Sequence, residues 1–261
     1  MCGRISLYSD PDYLARVFDA VPGPDVDPGG RPSWNVGPMG SLLGVTEVAG
    51  PGDGPGGGDA AGPDDATAVH RELGRYKWGL VPSWAKDPTL GNRTFNARAE
   101  TVATKPSFRA AFTARRLAVV ADGFYEWKPG PDKGRQPYYF TRADGRPLAL
   151  AGLWEQWWGG PTADEVTRGG APVLRTCTVI TTGAGPDMAD IHHRMPVVLA
   201  GDGLEEWLDP ANRDRPHLES LLVASPAGTL VHRPVARAVG NVRNDGPELI
   251  EGIDVGDVDQ G

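Results

Sequence analysis

Cysteine is nearly absent: Cys2 and Cys177 are the only two in 261 residues, and no Cys-x-x-Cys occurs. That excludes a disulfide framework and a cysteine zinc site. No apolar run approaches the ~18 residues of a membrane span. The N-terminal stretch MCGRISLYSDPDYLARVFDA lacks a basic head followed by an apolar segment, which argues against a signal peptide. There is no Walker A pattern, and TTGAG at 181–185 lacks the glycine spacing of a dinucleotide site. Lysine is scarce as well, 5 residues against 21 arginines. The expectation is a cytoplasmic monomer that needs no metal or nucleotide cofactor.

What is present suffices for a core: 39% of residues are hydrophobic and 23% charged. The length fits one large domain with loops. Net charge is −8, which disfavours a polyanionic partner until its distribution is considered. Residues 50–68 hold four Asp and residues 245–261 hold six acids, with no Lys or Arg in either. Those two segments carry −10 and leave +2 on the remainder, so a locally basic face can exist. The abundant arginine suits bidentate contacts to phosphate.

Pattern along the chain predicts a capped helix over 10–21, with Asp10 before Pro11 and an apolar face of Tyr13, Leu14, Val17, Phe18 and Val21. Strands are expected at 41–48 and 69–78, paired as a hairpin across a low-complexity insertion at 50–68. A short helix is expected at 105–115, then a strand at 115–123. A second hairpin is predicted from 137–142 and 146–155 around Ala143-Asp144-Gly145. A polar loop at 159–172, a strand at 174–182, helices at 203–208 and 213–224, and a strand at 229–235 complete the reading. The domain is expected to span 2–245, followed by an acidic tail at 246–261 that frays after 250. Strands outnumber helices and rarely alternate with them. The fold class is α+β, a single domain with a largely antiparallel sheet or irregular barrel and flanking helices.

Cys2 is the first candidate for chemistry. Removal of Met1 leaves it with an α-amine and a thiol on adjacent carbons, with unperturbed pKa values of about 8 and about 8.5. Such an aminothiol condenses with an aldehyde to an imine, and the thiol then closes a five-membered thiazolidine.

Seven pieces of sequence share a family's order: MCGR (1–4), WNVGP (34–38), WGLVPSWAKD (78–87), FNARAET (95–101), ADGFYEW (121–127), IHHRMPVVL (191–199) and RPVARAVGNVRN (233–244). On these pieces the chain resembles the SRAP family, the SOS-response-associated peptidases and abasic-site processing proteins. The likeness runs from residue 2 to about 245, apart from the loops near 50–68 and 159–172. It implies an α+β SRAP fold and covalent capture of abasic sites in single-stranded DNA through Cys2.

An abasic deoxyribose must open from its hemiacetal before C1′ can react, which requires an acid and a base. The resemblance places the catalytic carboxyl at Glu126, just past the apolar strand 117–121, where an apolar wall favours a proton-holding form. The pattern H-x-R-M-P selects His192 over His193 for proton transfer. If the pair lay on a strand, the two imidazoles would face opposite ways and make a poor metal pair. Asn96 can donate and accept at once, which suits orienting the Cys2 amine. Arg98 shares its strand face and is expected to clamp a phosphate, with Arg4 and Arg194 as further phosphate ligands. Glu100 reads as a structural partner. Asn35 and Thr181 are assigned polar contacts, Trp84 and Trp127 base stacking, and Pro38 a wedge between bases. The expected partner is single-stranded DNA carrying abasic sites, with replication-fork proteins as candidate recruiters and no membrane. The competing reading is an N-terminal-nucleophile amidase or peptidase, including self-removal of Met1, in which the α-amine activates the Cys2 thiol. Turnover of an amide rather than an adduct with an aldehyde lesion would mark it.

Overall fold

The computed structural model describes residues 2–48, 69–130, 134–159 and 173–254. The expected insertion at 50–68 and nearly all of the loop at 159–172 lie outside the described residues. In chain order the elements are β1 (Ile5–Leu7), α1 (Pro11–Val17), β2 (Ala20–Pro22), β3 (Ser33–Val36), β4 (Ser41–Val48), β5 (His70–Trp78), β6 (Asn96–Arg98), α2 (Arg109–Ala114) and β7 (Arg116–Ala121). They continue with β8 (Gly123–Pro129), β9 (Arg135–Arg142), β10 (Leu148–Trp157), β11 (Leu174–Gly183), β12 (Arg194–Pro196), β13 (Val198–Leu199), α3 (Asp202–Leu208), α4 (Arg215–Ser220) and β14 (Leu230–Pro234).

Two sheets result. The smaller runs β14-β9-β8-β1-β3, and the larger runs β12-β11-β10-β7-β4-β5-β2 with β6 along β11 and β13 along β10. A short parallel seam, Thr176–Lys77 and Cys177–Trp78, joins β11 to β5 and rolls the larger sheet toward closure. The fold is thus α+β and sheet-dominated, but the larger sheet is an irregular roll rather than a regular barrel. Most pairings are antiparallel; β2–β5, β5–β11 and β6–β11 are parallel.

Alternation along the strands sorts side chains to three layers. Ala118, Val120, Ile180 and Leu153 face Leu14, Phe18, Phe108, Phe112 and Trp207 of the helical layer. Leu117, Val119, Val179 and Leu150 face Ile5, Phe124 and Phe140 of the smaller sheet, and Cys2 lies in this inter-sheet core. Tyr125, Tyr139, Val235, Val239 and Leu249 pack on the outer face of the smaller sheet.

The β4–β5 pairing across the insertion forms as expected, from Ser41–Lys77 to Val48–His70. Asp10 caps α1, accepting from Asp12 N at 2.9 Å and Tyr13 N at 3.2 Å. The helix stops four residues earlier than expected: Asp19 turns left-handed at φ 50°, and residues 20–22 leave as a strand on β5. The expected hairpin over 137–155 does not form. Strand β9 pairs with β8 and β14, whereas β10 pairs with β7, β11 and β13. The Asp-Gly turn therefore carries the chain from one sheet to the other. The strand expected at 115–123 ends at Ala121, and Gly123 begins β8 in the other sheet. Residues 251–254 are tied back to the sheet, with Ile253 N donating to Pro234 O at 3.0 Å and, just before them, Arg233 Nε to Ile250 O at 2.7 Å; the rest of the expected frayed tail lies outside the described residues.

Arg116, only 5% exposed, ties the helical layer to the sheet. Its guanidinium donates to the carbonyls of Phe112, Thr113, Trp207, Asp209 and Asn212. A buried cation with every donor on a carbonyl is a satisfied one. Among the described residues no helix is long and apolar enough to cross a membrane.

Candidate active site

Cys2 lies three residues before the start of β1 and is fully buried. Strand β1 lies between β3 and β8, with Ile5 opposite Phe124. Tyr125 N donates to Arg4 O at 3.0 Å, which locks the start of the chain to β8. On β8, Phe124 and Glu126 share the face toward the inter-sheet core, while Tyr125 and Trp127 point to the outer cluster. Alternation alone thus aims Glu126 at the Cys2 side, where it is 3% exposed.

The opposite wall comes from the larger sheet. Strand β6 runs parallel to β11, placing Asn96 beside Val179 and Arg98 beside Thr181. Ala97 turns to the helical layer, so Asn96 and Arg98 share the other face, as expected of an extended segment. Asn96 Nδ2 donates to Cys2 O at 2.5 Å. Its Oδ1 is buried without a hydrogen-bond partner, an open acceptor next to the Cys2 backbone.

His192 follows a helical turn anchored by Met188 and Ile191, both buried in the inter-sheet core. His192 N donates to Met188 O at 3.1 Å. Its Nδ1 stands 4.0 Å from Glu126 Oε1. Arg194 N donates to that Nδ1 at 3.0 Å, and Arg194 O lies at 3.0 Å from the same atom. The backbone can therefore receive either protonation state of this nitrogen: the N–H serves a bare Nδ1 and the carbonyl a protonated one. The two histidines are not on a strand facing opposite ways. Their rings stack, centroids 4.4 Å apart and 27° between planes.

The Cys2 thiol is held well above its ordinary pKa, first by burial and second by the charge of Glu126, offset in part by the positive charge of the N-terminus and then by the Arg4 backbone N–H. The thiol is neutral near pH 7, so a free α-amine at this position would react ahead of the sulfur.

Arg98, Glu100, Thr101, His192, His193 and Arg194 line one groove of about 590 Å³. Arg98 is exposed; its carbonyl accepts from Thr101 N and Val102 N, and its charge helps to lower the pKa of Glu100. Arg194 is engaged: Nη1 and Nη2 meet the two carboxylate oxygens of Glu100 at 2.5 and 3.1 Å, and Nη2 also donates to Thr181 O at 2.5 Å. This partner holds the Glu100 carboxyl below its usual pKa. Thr181 is buried, its hydroxyl donating to Ala97 O at 3.3 Å.

Other sequence candidates lie elsewhere. Arg4 Nη1 donates to Asn35 Oδ1 and Val239 O, and Nη2 to Gly240 O. Asn35, buried, donates to the carbonyls of Val239, Asn241 and Asn244. This pair fastens the RPVARAVGNVRN segment to β3, a role invisible without the partner carbonyls. Pro38 is exposed at the second position of a turn closed by Gly40 N and Gly37 O, with Met39 at φ 70°. Trp84 is 61% exposed and borders a separate cleft with Lys86 and Arg93. Trp127 packs on the outer cluster, on the face of β8 opposite Glu126. Among the described residues no three His, Cys, Asp or Glu side chains converge as metal ligands.

Fold and site together define a sheet-built domain that places its second residue, a cysteine, against an amide and within the field of a carboxylate, which itself neighbours an imidazole. The chain belongs to the SRAP family: the family model described as "SOS response associated peptidase (SRAP)" matches residues 1–242. It is 37% identical over 256 residues to the abasic site processing protein YoqW of Bacillus subtilis, covering 96% of this chain and 99% of that one. It is 33% identical over 260 residues to the abasic site processing protein YedK of Escherichia coli, covering 97% and 100%. The abasic site processing protein HMCES of Gallus gallus is 36% identical over 252 residues, 87% of this chain and 68% of that one. Among solved structures, a protein from Bacteroides thetaiotaomicron superposes with a TM-score of 0.76 at 20% identity, covering 97% of this chain and all of that one, a likeness of fold.

Proposed function

We propose that this protein captures abasic sites in single-stranded DNA as a covalent thiazolidine on Cys2, and so shields the lesion. Removal of Met1, by an aminopeptidase or by self-cleavage, first turns the Cys2 nitrogen from an amide into an amine. The amine attacks C1′ of the ring-opened deoxyribose, and the carbinolamine loses water to give an imine. The Cys2 sulfur then adds to the imine carbon, and the thiol proton passes to nitrogen. Glu126 and His192 handle the protons of ring opening and dehydration. Asn96 orients the Cys2 backbone. Arg98 takes the neighbouring phosphate, and the exposed Trp84 offers a stacking surface to a base.

The observation that carries this reading is Asn96 Nδ2, 2.5 Å from the Cys2 carbonyl, together with the charge of Glu126 acting on the Cys2 thiol while Glu126 lies 4.0 Å from His192. The family membership and the names of the relatives support the lesion as substrate. A neutral, buried thiol favours the order amine first, sulfur second, and disfavours a thiolate nucleophile of the amidase kind.

The test is intact-protein mass spectrometry after mixing with a single-stranded oligonucleotide bearing one abasic site. The expected product is protein without Met1 plus DNA minus one water, resistant to denaturation and absent with Cys2→Ala or an undamaged strand. Amide turnover without an adduct would instead establish the amidase.

A further inference from the structure

We infer that Glu100 is a specificity-determining residue: it holds on Arg194 the place of a DNA phosphate, and yields it only when a lesion is captured at Cys2. This rests on the reading above and adds a residue that the capture chemistry itself does not require.

The geometry is that of an internal anion. Both Nη atoms of Arg194 face the two oxygens of Glu100, the same end-on fork that a phosphate would take. The Arg194 side chain is 14% exposed and that of Glu100 is 53% exposed, so the cation forms the floor of the groove and the carboxylate its removable cover. Thr181 O also holds Nη2, which keeps the guanidinium in place when the carboxylate leaves. Arg98, two residues before Glu100, faces the same groove and is open at once.

With Glu100 seated, the groove offers the backbone of DNA one exposed arginine, Arg98, that is not forked to a carboxylate. A second phosphate contact must displace a carboxylate that then sits, uncompensated, beside the strand. For an undamaged strand this exchange gains little. For a strand whose abasic sugar is bonded to Cys2, the adjacent phosphate is presented at high effective concentration, and the exchange proceeds. Glu100 therefore suppresses binding to ordinary single strands more than it slows lesion capture.

The test compares wild type, Glu100→Gln and Glu100→Ala, each also in an Arg194→Gln background. Affinity for an undamaged oligothymidine is measured from 50 to 200 mM salt, together with the crosslinking rate on an abasic strand at saturation. Neutralising Glu100 should raise undamaged-strand affinity about 5- to 10-fold. It should steepen the log–log salt slope by roughly 0.7, the increment of one phosphate contact on a single strand. The saturated crosslinking rate should move less than about twofold. In the Arg194→Gln background the same change should add less than about twofold. Equal gains in both backgrounds would make Glu100 a diffuse surface charge and overturn the inference, as would unchanged affinity and slope in both Glu100 variants. Failure of the wild type to crosslink would instead sink the capture reading itself.

Discussion

Glu126 acts on Cys2 in two opposed ways, and they can be separated. Its charge, after burial, raises the pKa of the thiol, while its position beside His192 suits it to move protons. Glu126→Gln removes a negative charge, so the thiolate is favoured and the Cys2 pKa falls toward its ordinary value. At a fixed pH of 8 to 9, more thiolate should react with an alkylating agent. The same substitution should slow crosslinking about 100-fold, the size of a general acid–base contribution. Faster alkylation with slower capture, read by mass spectrometry on one preparation, is the expected pair. If both rates fell together, the loss would lie in local packing rather than in proton transfer. Cys177, buried in β11 and also held above its ordinary pKa by burial, is the internal control that should not respond.

The elements that place these residues depend on close backbone approach. Gly123 opens β8, and a Cβ there would overlap the Tyr139 ring and the carbonyl oxygen of Phe140. Both neighbours are rigid: Tyr139 is buried and hydrogen-bonds Ser6 Oγ at 2.7 Å, and Phe140 is paired to Phe124 in the ladder. Gly123→Ala should therefore cost about 1–3 kcal/mol by overpacking. It should also displace Glu126, three residues along the same strand. Thermal melting and the crosslinking rate are expected to fall together. A variant with a lowered Tm and an unchanged rate would show that β8 holds Glu126 independently of its first residue. Much of this element scale can be read in the sequence, because apolar strands such as 116–121 and the 41–48/70–78 pair declare themselves by composition and alternation. Strand β8 does not, since GFYEWKP mixes glycine, two charges of opposite sign and proline, and its faces are set by two different clusters. The Asp-Gly turn at 144–145 misleads for a related reason: local turn chemistry fixes a reversal, not which sheet receives the next strand. Asn96, Glu126 and His192 were each identifiable by motif. The Glu100–Arg194 fork and the Arg116 carbonyl set were not, because partners 94 or 91 residues apart leave no local trace.

At the scale of the whole molecule, a chain of net charge −8 is expected to bind a polyanion only through a local field. Binding and bonding then respond differently to salt. Encounter with DNA releases counterions from each phosphate that an arginine neutralises, about 0.7 in log–log slope per contact on a single strand. The thiazolidine, once closed, is covalent and indifferent to ionic strength. Cys2→Ala isolates the first process, so its affinity for an abasic strand should fall steadily from 50 to 200 mM salt. Arg98→Gln in that background should weaken damaged and undamaged strands alike and flatten the slope by about 0.7, because Arg98 is the exposed arginine of the groove, whereas Arg194 is forked to Glu100. Adding salt before mixing should therefore lower the yield of wild-type crosslink at limiting protein, and adding it afterwards should leave the yield unchanged. A slope near zero for Cys2→Ala would remove Arg98 from the phosphate path, and recognition would then fall to stacking on surfaces such as Trp84. A slope that survives Arg98→Gln intact would move the contact to the Lys86 and Arg93 cleft beside that tryptophan.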